Sequence, residues 1–422
     1  MRHAAKIKTF EGVKRFNKYR RPSFVDCFQR NGLIYQHIEA VKGVHFKVRG
    51  HWIVSFISSC YLGLNQNQYV KGAVCDAVKR WGTSLGTPRI LGIDKLTSSV
   101  ESKIALLTRR EKAIIFPSTT QLAIDVLPLL SGPNGALFMD EWAYQTSFEG
   151  AFSARKTGAK CYCFKHNDPT ALESMLKKHA SSGNNVIVCD GVYSSGGQKV
   201  SLSDFIEIAR RFHALIYVDD AHGIGVYGKI ASSVKTPYGY GGGGTPVYFN
   251  TIASNRILHV GTLSKAFGVP VAFIAGHTHF IEYLKYHAKA FVHSSPPSLP
   301  VLAAAEAALT VNEYSGDHLR NVLYQRVQQF RQGLTRIGIK RRSCNYFPIQ
   351  TIYFSSKKTA TKAAAYLRRM GIWVLLQLEP PDNPYGGVIR FIITCLHKEN
   401  DINKAIDAIS FLQSKNLRIR VF

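Results

Sequence analysis

Two short segments concentrate the residue types that could do chemistry. One reads Val218-Asp219-Asp220-Ala221-His222-Gly223-Ile224-Gly225, the other Gly261-Thr262-Leu263-Ser264-Lys265-Ala266-Phe267-Gly268. A carboxylate, a histidine and a lysine flanked by hydroxyls are what a pyridoxal phosphate enzyme needs. The Lys265 amine can form a Schiff base, and Asp219 can keep a pyridine nitrogen protonated so that the ring withdraws electrons. Hydroxyls and backbone N–H groups can hold a phosphate. Each residue alone also fits a plainer role: Asp219 as a helix cap, His222 as a satisfied loop histidine, Lys265 as a surface charge.

The elements around these segments make the chemical reading coherent. Both follow apolar runs, 214–219 and 256–261, that read as buried strands, and a third such run occupies 185–190. Between them lie amphipathic helices. One opens at Thr170-Ala171-Leu172-Glu173, which has capping-box spacing, and extends to about Ala180; another, from about Ser203, places Leu202, Phe205, Ile206, Ala209 and Phe212 on one face. Buried strands separated by such helices predict an α/β fold with a mostly parallel central sheet, and ligands bind such sheets at the strands' C-terminal ends. Past the proline-rich 294–300 a long helix carries Leu319, Val322, Leu323, Val327, Phe330 and Leu334, which predicts a smaller C-terminal α+β domain. The expected division is a basic N-terminal segment over 1–60, a large cofactor-binding domain over 61–295 and the small domain over 296–422. The glycine run 241–244 lacks a phosphate-loop lysine and reads as a flexible insertion.

Composition narrows the classes. Of 422 residues 45% are hydrophobic, enough for a substantial core, which excludes a disordered chain. Lys and Arg number 54 against 27 Asp and Glu, a formal charge of +27. The cations are spread along the chain, and the one dense run, at 14–21, carries no nucleic-acid motif; it suits an acidic protein, an anionic membrane face or a solvated arm. The first 21 residues, with Glu11 as their one acid, are also compatible with mitochondrial targeting. No apolar stretch approaches the length of a membrane span, and the expected location is cytoplasmic. Eight scattered cysteines show no metal-ligand spacing, so no metal is expected, and Cys189 and Cys395 read as small core residues.

Taken together, Asp219-x-Ala221-His222 and the lysine segment closely resemble the α-oxoamine synthases, a fold-type I group of pyridoxal phosphate enzymes. The resemblance runs from about Tyr61-Leu62-Gly63-Leu64 to His397 and includes Tyr193-Ser194, Ser294-Ser295 and the Arg390 segment. It implies that Lys265 is the aldimine lysine and the acid/base at the substrate Cα, that Asp219 pairs with the pyridine nitrogen, and that His222 and Ser194 adjoin the phenolic oxygen. By the same resemblance Arg390 holds the amino-acid carboxylate, and Ser118, Thr119, Thr120, Thr262, Ser264 and Ser295 are phosphate candidates. Tyr144 stands where the family stacks a histidine on the cofactor ring.

The implied reaction condenses a small amino acid with an acyl thioester, of coenzyme A or an acyl carrier protein, usually with decarboxylation, to an α-amino ketone. The implied assembly is a homodimer. Departures from the family pattern surround the substrate rather than the lysine: Tyr144 cannot offer an imidazole, Cys60 replaces an asparagine, Thr97 replaces a histidine, and Val271-Ala272 replaces a glycine pair. The other readings are a different fold-type I enzyme such as an aminotransferase, a silent partner subunit, which the presence of Lys265 argues against, and a non-catalytic basic binding protein.

Overall fold

The computed structural model describes residues 23–231, 237–251, 254–339, 345–379, 386–414 and 419–420; the basic run at 14–21 lies outside them. In chain order the strands are β1 (Ala40–Lys42), β2 (His45–Val48), β3 (His51–Phe56), β4 (Lys112–Phe116), β5 (Ala136–Asp140), β6 (Lys160–Phe164), β7 (Asn185–Asp190), β8 (Val192–Tyr193), β9 (Gln198–Lys199), β10 (Leu215–Asp219), β11 (Ile257–Thr262), β12 (Ala272–Gly276), β13 (Ile349–Phe354), β14 (Ile372–Leu378), β15 (Gly387–Ile392) and β16 (Ile419–Arg420).

The central sheet has the order β4-β12-β11-β10-β7-β5-β6. Strands β11, β10, β7, β5 and β6 run parallel, and β12 is antiparallel to both its neighbours. Both faces are buried, which is why these strands read as continuous apolar runs rather than as alternations. On β7, Val186 and Val188 pack with Leu122 and Val126, whereas Ile187 and Cys189 pack with Leu172 and Phe205 on the other side. The fold is therefore the expected α/β fold, with the C-terminal ends of the parallel strands gathered at one edge.

The helices follow the apolar periodicity with instructive shifts. The helix Pro169–His179 begins earlier than the capping-box spacing suggests, because Asp168 is the cap and accepts from the N–H groups of Thr170 and Ala171. Proline at the first helical position loses nothing there, since that N–H has no intrahelical partner. The helix Leu299–Arg336 begins twenty residues before the periodic stretch that announced it. Its first turns bury Leu302, Ala303, Ala304 and Ala305 together, so they show no apolar and polar contrast from which a period could be read.

The second sheet has the order β1-β2-β3-β14-β15-β13-β16. The segment expected as a basic arm over 1–60 thus contributes three strands to the C-terminal sheet: β3 pairs in parallel with β14, Val54 opposite Ile372. Short exposed strands such as β1 (AVK) carry too little apolar signal to be read from the sequence.

The glycine run 241–244 is not a flexible insertion. Gly225 donates to the Gly242 carbonyl at 2.7 Å, and Asn312 on the long helix donates to the Gly241 carbonyl at 3.0 Å. A Cβ on Gly242 would stand 2.5 Å from the Arg320 guanidinium, so glycine is there for close approach. Cys189 is fully buried; Cys395 is partly buried, its thiol pushed up to about 12 by burial. No helix of the described residues is long and apolar enough to cross a membrane.

Candidate active site

Strand register brings the reactive groups together. Asp219 ends β10 directly opposite Asp190, which ends β7, and beside Val260 on β11. Lys265 follows β11 within one short turn. Its amine is pushed down from the usual lysine range by burial, against the pull of Asp219 and then of Asp190. The Asp219 carboxyl accepts the Ala221 N–H at 3.1 Å and is raised chiefly by burial, with Lys265 opposing. Asp190 is raised further, by burial and by repulsion from Asp219 across the strand pair.

Tyr144 stands at the start of the helix Gln145–Lys156 and is half exposed, its ring centroid 5.9 Å from Lys265 Nζ. Its backbone N–H donates to Asp190 Oδ1 at 3.0 Å, which ties the aromatic ring to the carboxylate pair. His222 is partly buried, and its Nδ1 lies 2.8 Å from the Tyr61 hydroxyl. Burial, then the nearby charges of Lys265 and Arg390, hold the imidazole well below its usual range, so it is neutral. Burial raises the Tyr61 phenol above its usual range, so this hydroxyl keeps its proton and shares a hydrogen bond with Nδ1. Arg390 sits on β15 between Thr351 of β13 and Leu375 of β14, and its charge reaches both Tyr61 and His222. The second sheet therefore supplies a cation to a site built on the central sheet.

The hydroxyl candidates form two groups. Ser118 caps the helix Thr119–Ser131, its Oγ accepting the Gln121 N–H at 3.2 Å. The Gln121 side chain donates to Ser294 Oγ at 3.1 Å, which joins this helix start to the Ser294-Ser295 segment. Thr262 Oγ1 and Ser264 Oγ are 2.7 Å apart at the end of β11. Thr262 lies opposite Ala272, and Ala272 opposite Phe116, so both groups stand at the same end of β4 and β11, the two strands that flank β12. Thr119 and Thr120 are in the first turn of the capped helix, and Ser194 lies in the turn after β8.

These residues fit pyridoxal phosphate. A buried carboxylate with one backbone donor suits a protonated ring nitrogen, a buried amine of lowered proton affinity suits an imine, and a helix start with hydroxyls suits a phosphate.

Three polar residues escaped the sequence reading. The sequence shows Asp190 only as the end of an apolar run and Tyr61 only as part of a resemblance, and Asp140 carries no motif of its own. Asp140 ends β5, fully buried, and accepts from Tyr193 Oη at 2.7 Å and the Asn167 N–H at 2.8 Å; its other oxygen lies 3.0 Å from His166 Nδ1. Asp140, Asp190 and Asp219 share one signal in the sequence, a carboxylate terminating an apolar strand.

Residues 59–409 match the family model described as aminotransferase class I and II. The chain is 30% identical to the 8-amino-7-oxononanoate synthase of Petrotoga mobilis, over 87% of this chain and 90% of the relative. It is 32% identical to the protein of that name from Dechloromonas aromatica, over 86% and 91%. Its fold superposes on serine palmitoyltransferase from S. paucimobilis, solved with a PLP–myriocin aldimine, with a TM-score of 0.82 at 19% identity, covering 96% of this chain and 98% of that one. With the lysine segment, the paired strand-end carboxylates and these relationships in view, the chain belongs to the pyridoxal-phosphate-dependent α-oxoamine synthase family.

Proposed function

We propose that this chain is a C-acyltransferase that joins a small amino acid to the acyl group of a thioester and releases an α-amino ketone, usually with loss of CO2. The observation that carries this reading is Lys265, which feels the charges of Asp219 and Asp190 and stands 5.9 Å from the Tyr144 ring. Pyridoxal phosphate, when bound, supplies an electron sink for the charge left at the amino acid's Cα.

The chain's own residues do the rest. Asp219 would hold the ring nitrogen, and His222 and Ser194 the phenolic oxygen. Ser118, Thr119, Thr120, Thr262 and Ser264 would hold the phosphate, with Ser295 of a second copy in a homodimer. Tyr144 would cover the ring. Lys265 Nζ, disfavoured as an ammonium by burial, is suited to accept the Cα proton and to return it to the product. Arg390 suits the carboxylate because its planar fork can donate two parallel hydrogen bonds. We read the protein as cytoplasmic, in keeping with the free thiols of its seven described cysteines.

The test is a visible spectrum of the purified protein with pyridoxal phosphate, followed by glycine, alanine or serine and then a panel of acyl thioesters, with free thiol and CO2 measured. The expected result is a Schiff-base band that one amino acid shifts, and thiol release that depends on that amino acid. In Lys265→Ala the cofactor should remain bound while the band is lost. Exchange of the amino group with a keto acid, without thiol release, would instead make the chain an aminotransferase, the reading that aromatic Tyr144 favours.

A further inference from the structure

Beside Asp219 lies a polar cluster that the chemistry above does not use. Asp220 is fully buried, and its carboxylate accepts the Thr245 N–H at 2.7 Å and the Thr245 hydroxyl at 2.5 Å. His259, also fully buried, places Nε2 3.0 Å from the same carboxylate and stands edge-on to Phe273, centroids 5.7 Å apart. Among the described residues His259 Nδ1 has no hydrogen-bond partner. The nitrogen facing a carboxylate is the one that carries a proton, so Nε2–H donates to Asp220.

The cluster is closely caged. A Cβ on Gly191, Gly223 or Gly244 would come within 2.1, 2.0 or 2.2 Å of an Asp220 oxygen. Three positions without side chains make room for one buried carboxylate, and replacing such buried charged groups by apolar residues of similar volume is often neutral or stabilising. The arrangement therefore points to a task other than packing.

Connectivity shows what that task is. The Asp220 N–H donates to the Val260 carbonyl at 2.7 Å, and the Asp220 carbonyl accepts the N–H groups of Gly223 and Ile224, each at 3.0 Å. The turn that carries Asp219 and His222 thus hangs on Asp220. Electrostatics act on Asp219 in turn: the Asp220 charge raises the proton affinity of its carboxyl and His259 lowers it, alongside the larger contributions of burial and Lys265.

We propose that His259 is a positioning residue of the active site: by donating Nε2–H to Asp220 it offsets the second carboxylate and holds the 219–222 turn so that Asp219 meets the cofactor's ring nitrogen as an anion. The inference rests on the cofactor reading above. It assigns work to a residue that touches neither cofactor nor substrate.

The test compares wild type with His259→Leu, which cannot donate, His259→Gln, whose amide can, and the double variant Asp220→Asn/His259→Leu, which removes the uncompensated charge. For each, the dissociation constant of pyridoxal phosphate, the pH dependence of the visible band, kcat and the amino-acid KM are measured, with near-ultraviolet circular dichroism of the cofactor-free protein as the folding control. A buried carboxylate that keeps Thr245 but loses its histidine donor predicts that His259→Leu weakens cofactor binding and lowers kcat, each about tenfold, with KM within about twofold. The midpoint of the band's acid transition should move up, and His259→Gln and the double variant should each recover part of the loss.

Unchanged cofactor affinity and acid transition in His259→Leu would overturn the proposal. Equal impairment of all three variants would overturn it too, because it would make the site a matter of packing. If His259→Leu does not fold, the glutamine and double variants decide alone, and equal impairment of both refutes the idea. A wild-type protein without a Schiff-base band would instead sink the cofactor reading itself.

Discussion

Replacing Tyr61 by Phe removes one hydroxyl and tests how His222 is set. That hydroxyl lies 2.8 Å from His222 Nδ1, and the Tyr61 ring is wholly buried, so no solvent reaches the gap to replace it. The imidazole is kept neutral by burial and by the charges of Lys265 and Arg390, which means that one ring nitrogen must accept. The hydroxyl pairs with Nδ1 and so orients the ring, leaving Nε2 for the site. Without Tyr61 Oη the ring loses that orienting partner. A buried hydrogen bond of this kind contributes about 1 kcal/mol net, which corresponds to a roughly fivefold weakening of cofactor binding. Cofactor affinity, read by quenching of protein fluorescence, should therefore fall about fivefold for Tyr61→Phe in an otherwise native chain. In a His222→Leu background the same change should cost less than about twofold, since the group that Tyr61 orients is gone. Equal losses in the two backgrounds would show that Tyr61 acts through packing against Phe347 and not through His222, and the reasoning would fail.

Other outcomes follow from the same geometry. Arg390→Gln should raise the amino-acid KM by about 10–100-fold, the loss expected when a charge-assisted pair to a carboxylate is removed, with a smaller effect on the acyl thioester; an unchanged amino-acid KM would remove Arg390 from the substrate site. His397 is buried, its Nδ1 accepting the Thr394 N–H at 3.0 Å and its Nε2 3.2 Å from the Ser55 carbonyl, and burial lowers it to about 4. The unfolded chain therefore binds the extra proton first: this contribution to stability is intact above about pH 6.5 and is lost progressively as pH falls towards about 4. His397→Asn should flatten urea-midpoint curves in that window, whatever it does to stability at neutral pH. Gly63 has φ +62°, and a Cβ there would stand 2.4 Å from Leu396 Cγ, so Gly63→Ala should lower the melting temperature through both strain and overlap; a variant as stable as wild type would mean that the contact between residues 61–64 and the small domain yields readily.

Much of this was legible in one dimension. Asp219, His222 and Lys265 announced themselves because their segments terminate apolar runs, and a strand's end is set by local composition. The parallel sheet was legible for the same reason: strands buried on both faces must be apolar throughout. The resemblance of the lysine segment carried the cofactor and the reaction class. What the tertiary structure alone decided was which distant residues meet. Register placed Asp190 opposite Asp219, and chain crossing brought Arg390 and Tyr61 to His222. It also turned a glycine run that looked mobile into a packed floor against Arg320, and gave Asp220 a histidine from the neighbouring strand. A sequence records the type and spacing of residues along one chain; hydrogen-bond partners, desolvation and the field at a carboxylate depend on contacts between segments that spacing does not encode. That is why the lysine and its acid were visible at once, while the groups that set their protonation emerged only from the fold.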